Sequence, residues 1–290
     1  MSFGRIPENT NRNQAPYGQP YAGPQFQQNA NQQPQYGQPY ANPQYAQPGM
    51  NAGAGTATMD ANLAYSYEKA QRVSITKAYA EMAVGLLVTA AVAVFANASG
   101  ALIAFLSVAG MFGWIGIALV QVALAIYLGA RVMSMSPGKA RAMFYVYAAL
   151  MGFTLSSIFL VYDLGSIALV LLLCAGFFFA LTMLGLTTKF DMLKAGPILF
   201  VGLIVLIIGQ LLVSWLFPSD GMMQLMAAIG VVLFAGMTVY DAQSTRAIFR
   251  QYQNQGPEMI QRVSILCALS LYLDFVNMFL YLLQLFGNRE

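Results

Sequence analysis

The sequence predicts an all-α polytopic membrane protein with seven transmembrane helices, and three observations predict it. First, 58% of the 290 residues are hydrophobic and only 9% charged, far from the balance of a chain that must present a hydrated surface. Second, seven apolar runs of about 18 to 24 residues follow one another, each long enough to cross a hydrocarbon layer of about 30 Å. Third, basic residues fall in alternate connections, the pattern that orients a multi-span chain.

Residues 1–60 are rich in Gln, Asn, Pro, Tyr, Ala and Gly, and YGQPYA occurs at 17–22 and again at 36–41. Such a composition cannot bury a core, so it reads as a disordered cytoplasmic tail. Either it is an inert solubilising tail, the preferred reading, or an arm that binds a partner. It holds no apolar signal-peptide segment, so the first span is expected to serve as the insertion signal. A basic, helical lead-in occupies 61–78, with Lys69, Arg72 and Lys77, and the membrane domain occupies 79–290.

The spans are expected at 79–96, 110–133, 143–162, 164–186, 196–217, 222–245 and 264–287, with 101–109 an extension of span two or an interfacial loop. Thirteen of the fourteen Lys and Arg residues then fall on one side, Arg289 being the exception. That places the N-terminus in the cytoplasm and the C-terminus outside. Six spans with a re-entrant last segment would instead return the C-terminus to the inside.

Other chemistries are poorly represented. Histidine is absent, which removes the usual proton switch and ordinary Cys/His zinc chemistry. Cys174 and Cys267 both lie inside spans and read as small core residues. No phosphate-binding loop, nucleophile elbow or nucleic-acid patch is present, so neither an enzyme nor a nucleic-acid binder is expected, and no tightly bound cofactor.

Charge inside the spans is the informative feature. Asp163, Asp191 and Asp220 sit in turns, where capping or solvation accounts for them, and Glu81, at the start of span one, is expected to reach water or Lys77. Asp274 differs, because it lies about 18 Å from either end of the last span, where an aspartate costs on the order of 3 kcal/mol to insert. Asp241 precedes it across a reversal punctuated by Gly256-Pro257. Centring the turn near residue 254 leaves the two carboxylates about 10 Å apart in depth, and centring it on Gly256 about 4.5 Å.

Two carboxylates brought together in a low-dielectric site cannot both ionise easily, so the pair would titrate in two steps and respond to pH without histidine. Ionised, it offers up to four oxygens to a hard cation such as calcium. The alternative is a shared-proton hydrogen bond that only holds two helices together, and geometry alone leaves both open. Arg131, at the inner end of span two, reads as an ordinary snorkelling residue or, more sharply, as the counter-charge. In span three, Gly152, Thr154, Ser156 and Ser157 form a small face that favours close helix packing or, on the sharper reading, lines a pore.

These stretches together resemble the Bax inhibitor-1, or transmembrane Bax inhibitor motif, family and its bacterial inner-membrane members. The resemblance covers 79–288. It rests on Tyr79, Met82, Gly85, Leu86, Thr89 and Ala90, on GFTLSSIF with YDLGSIA, on TTKFD, on VYDAQ around Asp241, and on ALSLYLDFVNMFLYLLQLFGNR around Asp274. It implies a fold with the last helix central, wrapped by the other six. It also implies a pH-sensitive calcium leak in which Asp241 and Asp274 are the sensor, or alternatively a membrane protein that modulates a membrane-bound AAA protease, for which the tail is the relevant feature. Two departures stand out: Gln121 occupies a mid-span position that is acidic in some members, and the family arginine matches Arg131 only to within one position.

Overall fold

In hydrocarbon every backbone N–H and C=O must find its partner within the protein, so each long apolar run folds as a helix. The computed structural model describes the backbone of residues 55–216 and 219–289, with side chains from residue 74 onward. The tail reading therefore lies outside the described residues except for 55–60, which already belong to the first helix. Seven helices follow: α1 Gly55–Ala98, α2 Ala101–Arg131, α3 Pro137–Leu155, α4 Leu164–Thr187, α5 Gly196–Leu216, α6 Asp220–Tyr252 and α7 Pro257–Phe286. All seven contain segments long and apolar enough to cross a membrane. The segment 101–109 is the first part of α2, joined to the rest through Gly110 at φ 57° and ψ −154°, a conformation that only glycine adopts without strain.

The turns obey local chemistry. Asp163 caps α4 by accepting from Ser166 N at 2.9 Å, and Ser219 caps α6 by accepting from Met222 N at 3.3 Å. Gly256 takes φ 85° and hands the chain to Pro257, the first residue of α7. The far end of α7 is tied down at the other end of the bundle: Asn288 N donates to Ser166 Oγ at 2.8 Å, and Asp163 N donates to the Asn288 carbonyl. The last helix thus runs the length of the bundle without turning back inside it. Arg289 finds Asp220 there at 3.3 Å, which gives the lone basic residue of that end its partner.

Helix α7 is the axis. Of its hydrophobic window 72% is buried, against at most 33% for any other span. Helices α1, α2, α3, α4 and α6 pack on it, and α5 reaches it through Tyr281 Oη donating to Gln210 at 2.8 Å. Helices α2 and α5 are peripheral, and their outward Phe112, Leu119, Ile198 and Val205 are exposed, forming part of the apolar belt that lipid covers.

Lipid is as apolar as leucine, so close packing and interhelical hydrogen bonds hold such a bundle together. Both occur where α1, α3 and α7 meet. Thr89 Oγ1 lies 2.6 Å from Tyr272 Oη, 2.9 Å from the Ala148 carbonyl and 3.0 Å from the Gly85 carbonyl, in a site where both side chains are buried. Thr89→Val is expected to cost about 1–2 kcal/mol, because the Tyr272 hydroxyl is left buried without a partner. Adding Tyr272→Phe should recover part of that loss. Thermal unfolding in detergent of the single and double variants checks both statements.

Candidate functional site

The α6–α7 hairpin sets the site. Gly230 faces the Tyr281 ring and Thr245 meets Cys267, an antiparallel register centred on Gly256. Asp241 and Asp274 lie about three residues, or about 4.5 Å, out of that register. Side-chain reach absorbs the difference, and the two carboxyl groups lie within hydrogen-bonding range of one another. The Gly256-centred turn is therefore the one the chain adopts.

The two aspartates are not equivalent. Asp274 is 1% exposed, whereas Asp241 retains partial exposure. One oxygen of Asp274, Oδ2, has no hydrogen-bond partner. The titratable groups facing the pair are Tyr79 from α1 and Cys267 from α7, and α4 adds the Thr182 hydroxyl beside Tyr79. The Tyr79 and Thr182 hydroxyls face each other without completing a hydrogen bond of good geometry.

Arg131 is not brought to the pair. It ends α2 exposed to solvent, and among the described residues no Lys or Arg forms an ion pair with either aspartate. The net charge of the pair is therefore set by the protons it holds and by any cation that visits. Among the described residues no group of three or more His, Cys, Asp or Glu is placed to hold a metal. The pair alone offers two carboxylates, a set suited to a passing cation rather than a resident one.

The small face of α3 packs. A Cβ on Gly152 would press on the Thr89 backbone and on Val92 of α1. Ser156 is buried and returns its hydroxyl to the Phe153 carbonyl at 2.6 Å, and Ser157 sits half-buried beside it. Thr154 accepts from Gln121 Nε2 at 2.9 Å, so the polar residue of α2 serves as an α2–α3 tie.

One polar cluster escaped the sequence reading. Glu81 pairs not with Lys77 but with Arg141, whose Nε and Nη2 reach Oε1 at 2.7 and 2.6 Å, while Tyr145 Oη donates to Oε2 at 2.6 Å. It joins α1 to α3 at the end of the bundle that carries the α6–α7 turn. The available signal was an acid at the start of span one and an arginine just before span three, at similar depth, with both helices running in the same direction.

Comparison with known proteins gives a consistent picture. The family model described as "Inhibitor of apoptosis-promoting Bax1" matches residues 71–290. The inner membrane protein YbhL of Escherichia coli strain K12 is 41% identical over 216 residues, covering 74% of this chain and 92% of that protein. An uncharacterized protein of Borreliella burgdorferi is 35% identical over 216 residues, 74% of this chain and 92% of its own. The uncharacterized protein RP147 of Rickettsia prowazekii is 32% identical over 225 residues, 78% and 93%.

Proposed function

The chain belongs to the Bax inhibitor-1 family, and on that premise we propose that it is a pH-sensitive cation leak pathway of a bacterial inner membrane. Calcium is the carried ion, and Asp241 and Asp274 form the element that exchanges protons. It is not an enzyme on this reading. The observation that carries it is the carboxyl pair itself: two acids in contact within an apolar bundle, with no lysine or arginine paired to either among the described residues. Such a pair changes charge only by exchanging protons or binding cations, and intramembrane acids mark ion and proton pathways.

The membrane placement follows from similarity to an inner membrane protein together with seven apolar spans. The end of the bundle bearing Lys77, Arg131, Lys139, Arg141, Lys189, Lys194, Arg246, Arg250 and Arg262 faces the cytoplasm by the positive-inside rule, leaving the C-terminus in the periplasm.

Calcium flux into dye-loaded liposomes, followed across a pH range of about 5 to 8, tests the proposal. The unmodified protein is expected to leak calcium at a pH-dependent rate, and Asp241→Asn or Asp274→Asn to flatten that dependence. Unaltered flux and pH profile in both variants would end the channel reading.

A further inference from the structure

Helices α5 and α6 form a hairpin that is tight at one end and loose at the other. Towards the α4–α5 connection the two helices touch: a Cβ on Gly202 would lie 3.0 Å from the Leu233 side chain, and one on Gly236 3.2 Å from Leu199. Towards the end that carries the C-terminus they part. A Cβ on Gly209 would meet only the Met226 sulfur, at 3.8 Å, and beyond it a cavity of about 270 Å³ opens to the outside of the bundle. Ile207, Gln210, Leu211 and Ser214 of α5 and Met223 of α6 line it.

Two polar side chains reach this cavity from consecutive turns of α5. The Tyr281 hydroxyl donates to Gln210 Oε1 at 2.8 Å, which fixes the carboxamide and commits its oxygen. Both N–H groups of Nε2 are then available to donate, and among the described residues no protein acceptor takes them or the Ser214 hydroxyl. Among those same residues the lining holds no Lys, Arg, Asp or Glu, so nothing there favours a phosphate, a carboxylate or a cation. The site suits a neutral oxygen acceptor carried on an apolar molecule.

Its depth identifies the occupant. The apolar segment that contains α5, Met192–Leu216, has 25 residues, about 37 Å at 1.5 Å per residue, and exceeds a hydrocarbon layer of about 30 Å by about 3–4 Å at each end. Ser214 therefore stands at the edge of the hydrocarbon and Gln210 about 6 Å inside it. Trp215, 81% exposed beside Ser214, is the kind of side chain that marks this edge. The ester carbonyls of a diacyl lipid stand at the same edge, and their acyl chains would run inward over exposed residues such as Ile204, Leu211 and Ile229. Away from water an unmet N–H is costly, and the ester carbonyl is the acceptor that a bilayer supplies at this depth.

We infer that the α5–α6 cavity binds one diacyl glycerophospholipid, held through its ester carbonyls by the Gln210 amide and the Ser214 hydroxyl, and selected for its ester linkages and not for its headgroup. This site depends neither on ion flux nor on the aspartate pair.

A dialkyl ether lipid provides the test, because it keeps headgroup and chains but lacks the carbonyls. Delipidated full-length protein in detergent is titrated with dioleoyl phosphatidylcholine or its dioleyl ether counterpart, and the first lipid to bind is followed by native mass spectrometry. The ester lipid is expected to bind about tenfold more tightly, the worth of one or two hydrogen bonds between neutral groups. Ser214→Ala, at an exposed position, should cut that preference to about threefold. Gln210→Leu together with Tyr281→Phe, paired so that no hydroxyl is stranded, should remove most of it, and adding Ser214→Ala should leave the two lipids bound equally. Equal affinity for the two lipids in the unmodified protein, a comparison that needs no substitution, overturns the site. So does an ester preference that persists in a triple variant with an unchanged unfolding temperature. Dioleoyl phosphatidylglycerol is the third probe: binding ranked by headgroup charge and blind to the linkage points to basic residues elsewhere and overturns the site as well.

Discussion

Gly152→Leu is expected to yield little or no folded protein. Gly152 is buried in α3 at its contact with α1, where an added Cβ would already lie 3.0 Å from the Val92 Cβ and 3.1 Å from the Thr89 carbonyl carbon, with the Thr89 oxygen closer still. Two of those atoms are backbone. Helix α1 cannot retreat without losing the Thr89 bonds to Ala148 and Tyr272 and so loosening the central helix as well. Overpacking a well-filled site commonly costs about 1–3 kcal/mol and sometimes more, and here a leucine must enter a contact built for a hydrogen atom. A loss of about 3 kcal/mol or more is a large share of a total stability of about 5–15 kcal/mol. The fraction recovered as a monodisperse species after detergent extraction, with its unfolding temperature, measures the effect. Gly116→Leu is the control, since a Cβ there meets nothing within 4 Å and helix propensity favours the change. If the two variants behave alike, the α1–α3 contact is not the tight one described.

The sequence was most informative where a short turn fixes register. Helices α6 and α7 are joined by only four residues, Gln253 to Gly256, so counting from Gly256 placed Asp241 opposite Asp274 to within side-chain reach. The same logic fails for α1 and α3. They lie side by side but are separated in sequence by the whole of α2, so no count fixes which residues face each other. Sequence therefore leaves Glu81 to water or to Lys77, its neighbour one turn away, whereas the contact is made by Arg141 and Tyr145 about sixty residues on. Arg131 illustrates a second limit. Depth can be read from sequence, but the direction a side chain takes around its helix is decided by packing, and α2 has almost no buried face to reveal it. The bend at Gly110 belongs to the same class, since a glycine permits positive φ without requiring it.

The final expectation concerns whether the two aspartates act as one unit. An asparagine at either position can donate to the remaining carboxyl through its amide, so each single substitution supplies permanently what the shared proton supplies only part of the time. Asp241→Asn and Asp274→Asn should therefore both flatten the pH profile of flux, and the double variant should be no flatter than either. Stability should move the opposite way. Each single variant removes a repulsion between two acids that no neighbouring cation offsets, and is expected to unfold at a higher temperature than the unmodified protein at neutral pH. The double variant should fall short of the sum by about 0.5–3 kcal/mol, the range found for residues in contact. Additivity within about 0.5 kcal/mol would mean that the carboxyl groups do not interact. Flux separates the two readings of the pair, because asparagine keeps a hydrogen bond between the helices on either reading. A shared-proton clasp that merely holds α6 to α7 should leave calcium flux and its pH profile unaltered in both variants, whereas an acid pair retained for ion passage should leave flux less responsive to pH once it is gone.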